Sequence, residues 1–247
     1  MKTLWFCGVL SLCSTCAQAG PNINIGTVYD YLDGDKSTYL KRVFNGGSST
    51  AFVRVNIFEM TFDAAGQATE HPLDNHGEYA ARRSGLVASP ARLIVPASGM
   101  QALRLLYVGE RDHERYYRVR YVPVVPERED QFAVSEVERE QYKASLTAGV
   151  NIMAGYGAVF FVRPKHTRFD TKVQDSASQY RVHNAGNSTI ELGDFRDCSQ
   201  HDPRECLATR SHHVLPGKAF ELAKVAGRVY AYELIEGDKK TKVKLQP

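Results

Sequence analysis

The chain of 247 residues has five cysteines and one tryptophan, and three of those cysteines stand within its first sixteen positions. Only Cys198 and Cys206 follow, in "DCSQHDPREC". Two thiols are too few for a cysteine-only zinc site, and in an oxidising compartment they most simply form one disulfide closing a small loop. After the N-terminus no apolar run reaches eighteen residues, the length a membrane-spanning helix needs. An excess of one charge is lacking too: 31 Lys and Arg stand against 28 Asp and Glu, a formal +3. That argues against a dedicated nucleic-acid binder, and the basic tail "DKKTKVK" reads as a solvated strand end. Enzyme signatures are missing as well: there is no G-x-S-x-G, no phosphate-binding glycine loop and no H-E-x-x-H. His212 and His213 are adjacent, so in a strand their rings point to opposite faces and cannot share a metal; they read as surface histidines. No catalytic activity, cofactor or metal is expected.

What is present begins with "MKTLWFCGVLSLCSTCAQAG". Lys2, an apolar run and the small-x-small triplet Ala17-Gln18-Ala19 make residues 1–19 a signal peptide cut between Ala19 and Gly20. The mature protein is expected to be soluble and exported. Lipid anchoring at Cys13 or Cys16 fits poorly, because Leu12 and Thr15 are bulky just before each cysteine.

Beyond that point the text is strand-like. "TAFVRVNIFEM" alternates with Ala51, Val53, Val55 and Ile57 on one face, and "ARLIVPA", "QALRLLYVG" and "ERYYRVRYVPVVP" are short β-branched or aromatic runs between glycine and proline turns. Such a series predicts an antiparallel sandwich. "PEREDQFAVSEVEREQYKAS" breaks the pattern and reads as a charged surface loop, a short helix being the alternative. After Arg163-Pro164 strand texture restarts with "YRVHNAG", "STIELGDF", "HHVLPGKAFEL" and "RVYAYELI", enough for a second, smaller sandwich. The predicted architecture is all-β, with domains over 20–163 and 164–247.

The most unusual stretch is "TAGVNIMAGYGAVFFVRP". Leu146, Ala148, Val150, Ile152, Ala154, Tyr156, Ala158, Phe160 and Val162 are all apolar, whereas the odd positions are mostly Gly, Asn, Thr or Met. This predicts one strand over 146–162, far longer than the usual five or six residues. One reading is a core strand of the first sandwich. The other is a strand at a sheet edge whose apolar row serves another chain.

The order of motifs favours the second reading. "GLVASPARLIVPASGMQALRLLYVGERDHERYYRVRYVPVVPE", followed by a charged loop, the alternating strand and Arg163-Pro164, resembles the periplasmic chaperones of chaperone–usher pilus assembly. The short first turns and the paired cysteines look most like the alternate, common-pilus or colonisation-factor branch. The resemblance implies two immunoglobulin-like β-sandwich domains set at an angle, in a periplasmic protein without enzymatic activity. Such a protein binds pilus subunits lacking their last strand, lends them its own, and delivers them to an outer-membrane usher. It implies a donor row of Val150, Ile152 and Ala154, extended by Leu146 and Ala148. Glu114 and Arg163 match positions of an interdomain ion-pair network whose third member would be Glu233, Glu236 or Asp238. Many relatives hold the subunit's terminal carboxylate with two basic cleft residues, but the matching positions here are Val159 and a place near Tyr29, neither basic. Self-association that shields the free strand is a further expectation. The rival is a secreted β-sandwich pilus subunit or adhesion module, which should be one smaller domain with an N-terminal donor extension. A secreted β-sandwich hydrolase is a third reading, which would need convergent titrating groups in a cleft.

Overall fold

The computed structural model describes residues 20–63, 65–73, 85–147, 153–202 and 204–245. Ten strands come first: β1 (Ile23–Asn24), β2 (Tyr29–Leu32), β3 (Thr38–Asn45), β4 (Ala51–Phe62), β5 (Ala68–Pro72), β6 (Gly85–Ser89), β7 (Arg92–Val95), β8 (Met100–Val108), β9 (Arg115–Val124) and β10 (Tyr156–Val162), with helix α1 (Glu136–Thr147) between the last two. Seven more follow: β11 (Thr171–Asp175), β12 (Gln179–Asn184), β13 (Ile190–Ser199), β14 (Arg210–Val214), β15 (Ala219–Ala223), β16 (Arg228–Glu236) and β17 (Lys239–Leu245). One sandwich sets the sheet β1-β3-β8-β6 against β2-β10-β9-β4-β5, with β7 also on β4; the other sets β11-β12-β15 against β14-β13-β16-β17. The fold is all-β, with two immunoglobulin-like sandwiches, as the sequence predicts.

Alternation builds each core. Val53, Val55 and Ile57 of β4, Leu103 and Leu105 of β8, Tyr117, Val119 and Tyr121 of β9 and Ala158, Phe160 and Val162 of β10 meet in the first domain. Tyr180, Val182, Ile190, Leu192, Tyr230 and Tyr232 do so in the second. A polar knot lies at the edge of the first core. The Asp30 carboxylate of β2 accepts from Lys41 Nζ, Tyr39 Oη and Thr27 Oγ1, each at 2.7 Å. Lys41 and Asp30 are each 3% exposed, so this pair is held out of water with its hydrogen-bonding groups matched.

Two expectations are corrected. The charged stretch before β10 is not simply a loop, because α1 occupies Glu136–Thr147. Ser135 and Glu138 form a reciprocal cap: Ser135 N–H donates to Glu138 Oε2 at 2.8 Å, and Glu138 N–H donates to Ser135 Oγ at 3.2 Å. Tyr142 then packs edge-on against Phe52 at 4.8 Å and donates to the Thr50 carbonyl, pinning the helix to the start of β4. Nor does one strand run from 146 to 162. Leu146 lies in the last turn of α1, and β10 begins at Tyr156. Helix capping and the Phe52–Tyr142 contact win over period-two alternation at Leu146.

Cys198 and Cys206 form the predicted disulfide at the end of β13.

Two stability predictions follow from these contacts. Lys41→Met leaves the Asp30 carboxylate buried without its cation, and should lower stability by roughly 3–5 kcal/mol, read as a lower urea midpoint at unchanged slope. Adding Asp30→Asn should restore part of that loss. Replacing both Cys198 and Cys206 by Ser should lower the second domain's stability by about 2–3 kcal/mol, the chain-entropy value for so short a loop.

Candidate functional site

The site is built around β10. Its Tyr156–Val162 pairs antiparallel with β9 along its whole length, whereas β2 pairs with it, in parallel, only from Val159 to Val162. Among the described residues no strand pairs with Tyr156–Ala158 on the β2 side. The even-numbered row closes the chain's own core from Ala158 to Val162, and it has left that core by Ala154, which is exposed. Ala148, Val150 and Ile152 lie outside the described residues. Gly155 and Gly157 let β9 come close: a Cβ on Gly155 would stand 3.1 Å from the Tyr121 carbonyl oxygen, and one on Gly157 3.2 Å from Arg118 Cδ. At its start the strand therefore presents Tyr156 and Ala158 on one face and almost bare backbone, at Gly155 and Gly157, on the other, before Val159 and Phe161 fill that second face.

Next to this edge is an interdomain cleft of about 570 Å³, lined by Tyr29, Val159, Phe161 and Arg118 of the first domain and His212, His213 and Phe220 of the second, among others. Val159 stands directly opposite Tyr29, so the two non-basic positions picked out in the sequence are neighbours across β10 and β2. The basic group beside them comes from the other flank: Arg118 of β9 is opposite Val159. Glu70 of β5 holds it, with Oε1 3.1 Å from Arg118 Nε and Oε2 2.6 Å from Arg120 Nη2. Arg120 lies over the Phe58 ring at 4.4 Å. Arg118 lies outside the two positions that the family resemblance matches, in β10 and the first strand, although the alternation of "RYYRVRY" puts Arg118 and Arg120 on one face.

Glu114 does join the domains, but not through an ion pair. Its carboxylate accepts from Ser188 Oγ at 2.7 Å, from the Thr189 N–H at 2.8 Å and from Thr189 Oγ1 at 2.5 Å. Burial pushes its pKa up, and these donors oppose the rise. Arg163 pairs with Asp33 of its own domain at 2.8 Å and lies over the Tyr31 and Phe169 rings. Glu236 instead accepts from Thr171 Oγ1, and Glu233 pairs with Lys240. The expected three-membered network is thus two separate contacts, because Asp33 in the turn after β2 is nearer to Arg163 than the second domain's acids.

His213 is not a surface histidine. The Tyr31 hydroxyl and His213 Nδ1 are hydrogen-bonded at 2.7 Å, and the ring lies 3.8 Å from Tyr29 and stacks 5.7 Å from Phe161. Nε2 is buried without a partner. Phe161 is 2% exposed although it points away from its own core, so this aromatic stack is what covers it. Among the described residues no cluster of metal-ligating side chains occurs, and no helix is long and apolar enough to cross a membrane.

No family model matches the chain. A protein of Escherichia coli O1:K1 named "Probable fimbrial chaperone EcpB" is 25% identical over 231 residues, covering 90% of this chain and 91% of that one. Among solved structures, the class 5 fimbriae chaperone CfaA matches with a TM-score of 0.54 at 19% identity, over 92% of this chain and 100% of that one. A chain of the Salmonella enterica complex of SafA pilin with the SafB chaperone matches with a TM-score of 0.53 at 12% identity, over 92% and 96%. The similarity thus extends along most of the chain to proteins of the kind that the sequence resembles.

The aromatic seam generates a pH prediction. Burial, with repulsion from His212, lowers the His213 pKa from 6.5 to about 4. Between those values the unfolded chain binds a proton that the folded chain does not, so stability is unaffected above the window and falls as pH drops through it. The urea midpoint should fall more from pH 7 to pH 4.5 in the native chain than in His213→Gln.

Proposed function

We propose that this chain is a periplasmic chaperone that binds and stabilises fimbrial subunits and delivers them to an outer-membrane usher by donor-strand complementation. Residues 1–19 act as the signal peptide, cut between Ala19 and Gly20. Residues 20–163 form the domain that lends the strand, and 164–247 form the second domain. The single observation that carries this reading is the half-covered strand β10: β2 screens Val159–Val162 and leaves the preceding backbone available to a partner strand. A subunit lacking its last strand exposes core side chains and two unpaired edges. Adding β10 and its upstream row supplies both the ladder and the missing side chains.

In this mechanism Val150, Ile152 and Ala154 are the donor residues. Each buried Val or Ile contributes about 1.5–3 kcal/mol. Leu146 and Ala148 extend the row once the last turn of α1 unwinds, since Leu146 is helical in the free chain. Arg118 is the group we assign to the subunit's terminal carboxylate. It stands opposite Val159 at the cleft, and Glu70 already offers it a carboxylate that an incoming one would replace. Glu114 and Arg163 shape the cleft from outside it. The work is strand exchange; no covalent bond is made or broken, so neither catalytic residue nor cofactor enters.

Ile152→Asp places a charge where the subunit's groove is apolar. Co-purification with a co-expressed subunit should be lost while the free variant keeps the native urea midpoint, and Ile152→Val should retain capture. Normal capture by the Asp variant would remove the donor role.

A further inference from the structure

The second domain carries a groove of about 480 Å³ on the outer face of the sheet β14-β13-β16-β17, and strand donation leaves it unused. Ala231 of β16 is its floor. Arg196 of β13 stands opposite Ala231 on one side, and Lys244 of β17 stands opposite it on the other. Lys242 lies two residues before Lys244, opposite Glu233. A bulge in β13 brings the arginine here. Gly193 is opposite Glu233, but Arg196, three residues on, is opposite Ala231, only two residues back. Leu192 and Phe195 therefore both face the core, and Arg196 turns outward where unbroken alternation would bury it. Asp194, inside the bulge, takes a left-handed backbone at φ 51° and lines the groove.

The charges around this floor do not balance. The side chains of Arg196, Lys242 and Lys244 are exposed and form no ion pair or hydrogen bond with the described residues. Glu233 is already held by Lys240 at 3.2 Å, which leaves Asp194 as the uncommitted anion. Strands lie about 4.8 Å apart and successive outward residues about 6.8 Å apart, so the three cations rise from the corners of a triangle roughly 7–12 Å on a side. Side chains of that length meet over the Ala231 methyl group. A planar carboxylate is served by one bidentate arginine. A phosphate offers three acceptor oxygens and up to two charges, and takes donors from three directions. Asp194 then accepts from a hydroxyl or ammonium group on the rest of the ligand. A second copy of the chain fits badly, because a two-fold contact on this face sets cation against cation.

We propose that this groove binds a phosphate-bearing ligand, with the phosphate seated on Ala231 between Arg196, Lys242 and Lys244. The proposal does not rest on the chaperone reading. Its test titrates the isotope-labelled mature chain with inorganic phosphate at constant ionic strength and follows the amide resonances of Ala231 and Arg196, which should shift and saturate. Replacing Arg196, Lys242 and Lys244 together by Gln should weaken binding at least tenfold. Removing three cations elsewhere in the domain, by Lys172→Gln, Arg181→Gln and Arg204→Gln, should leave it unchanged. Ala231→Leu fills the floor without altering charge and should also weaken binding at least tenfold, at an unchanged urea midpoint. Absence of saturation overturns the proposal, as does equal weakening in the two charge variants or native affinity in Ala231→Leu. Two further probes separate the sources of the phosphate. Saturable binding of glycerol 3-phosphate supports a soluble ligand. Flotation with phosphatidylglycerol vesicles, absent with phosphatidylcholine vesicles and lost in the groove variant, supports a lipid headgroup.

Discussion

Four residues of parallel pairing, Tyr29–Leu32 against Val159–Val162, decide where the first domain closes and where its edge begins. β2 is short for identifiable reasons. Just before it Gly26 takes a left-handed conformation, and its N–H is held by the Asn24 side chain, so the chain turns away from β10 at that point. Asp30, Lys41, Tyr39 and Thr27 then lock β2 to β3 by hydrogen bonds that do not depend on the ladder. A longer β2 would cover Tyr156–Ala158 and leave no edge; a looser one would expose Phe160 and Val162. The buried ion pair is expensive to desolvate, and its return is position more than stability.

The second domain is held by directional contacts. Glu114 reaches across to two hydroxyls and one backbone N–H, a geometry that a sliding interface does not satisfy. Tyr31, Phe161 and His213 fill the seam behind it. These contacts set the width of the cleft between Arg118 and Phe220. Beside it, the single Glu70 carboxylate bridges Arg118 and Arg120, so each guanidinium group of the free protein has an anionic partner next to β10.

Much of this was legible in the sequence wherever period-two alternation and turn residues agree. β4 runs Ala51–Phe62 with the predicted face inward, and the boundaries of β8, β9, β13 and β16 fall close to their apolar runs. The misses have physical causes. Alternation from Leu146 competes with the capped helix that Ser135-x-x-Glu138 begins, and the cap was readable in "SEVE". His213 looked like a surface residue because its burial comes from the other domain, which local pattern does not report. Arg163 found Asp33, about 130 residues earlier, and not an acid across the interface, because the turn "DGD" returns beside the end of β10. Contacts between distant segments are what one-dimensional patterning leaves out.

The uneven row on β10 then acquires a reason within the proposed mechanism. A strand that completed a subunit perfectly would hold it, and handing it on requires a better strand to win. Ala154 is small where the groove of a partner would accept more, and Gly155 and Gly157 contribute backbone without side-chain contacts. Filling such a groove with larger residues from the next subunit gains apolar burial at the row positions where this chain offers only a methyl group. Exchange toward the fibre is downhill on that account, with no nucleotide required. The same deficiency that makes β10 a poor final strand makes it a serviceable temporary one, and the β2 pairing keeps the unfavourable part of that arrangement outside the chain's own core.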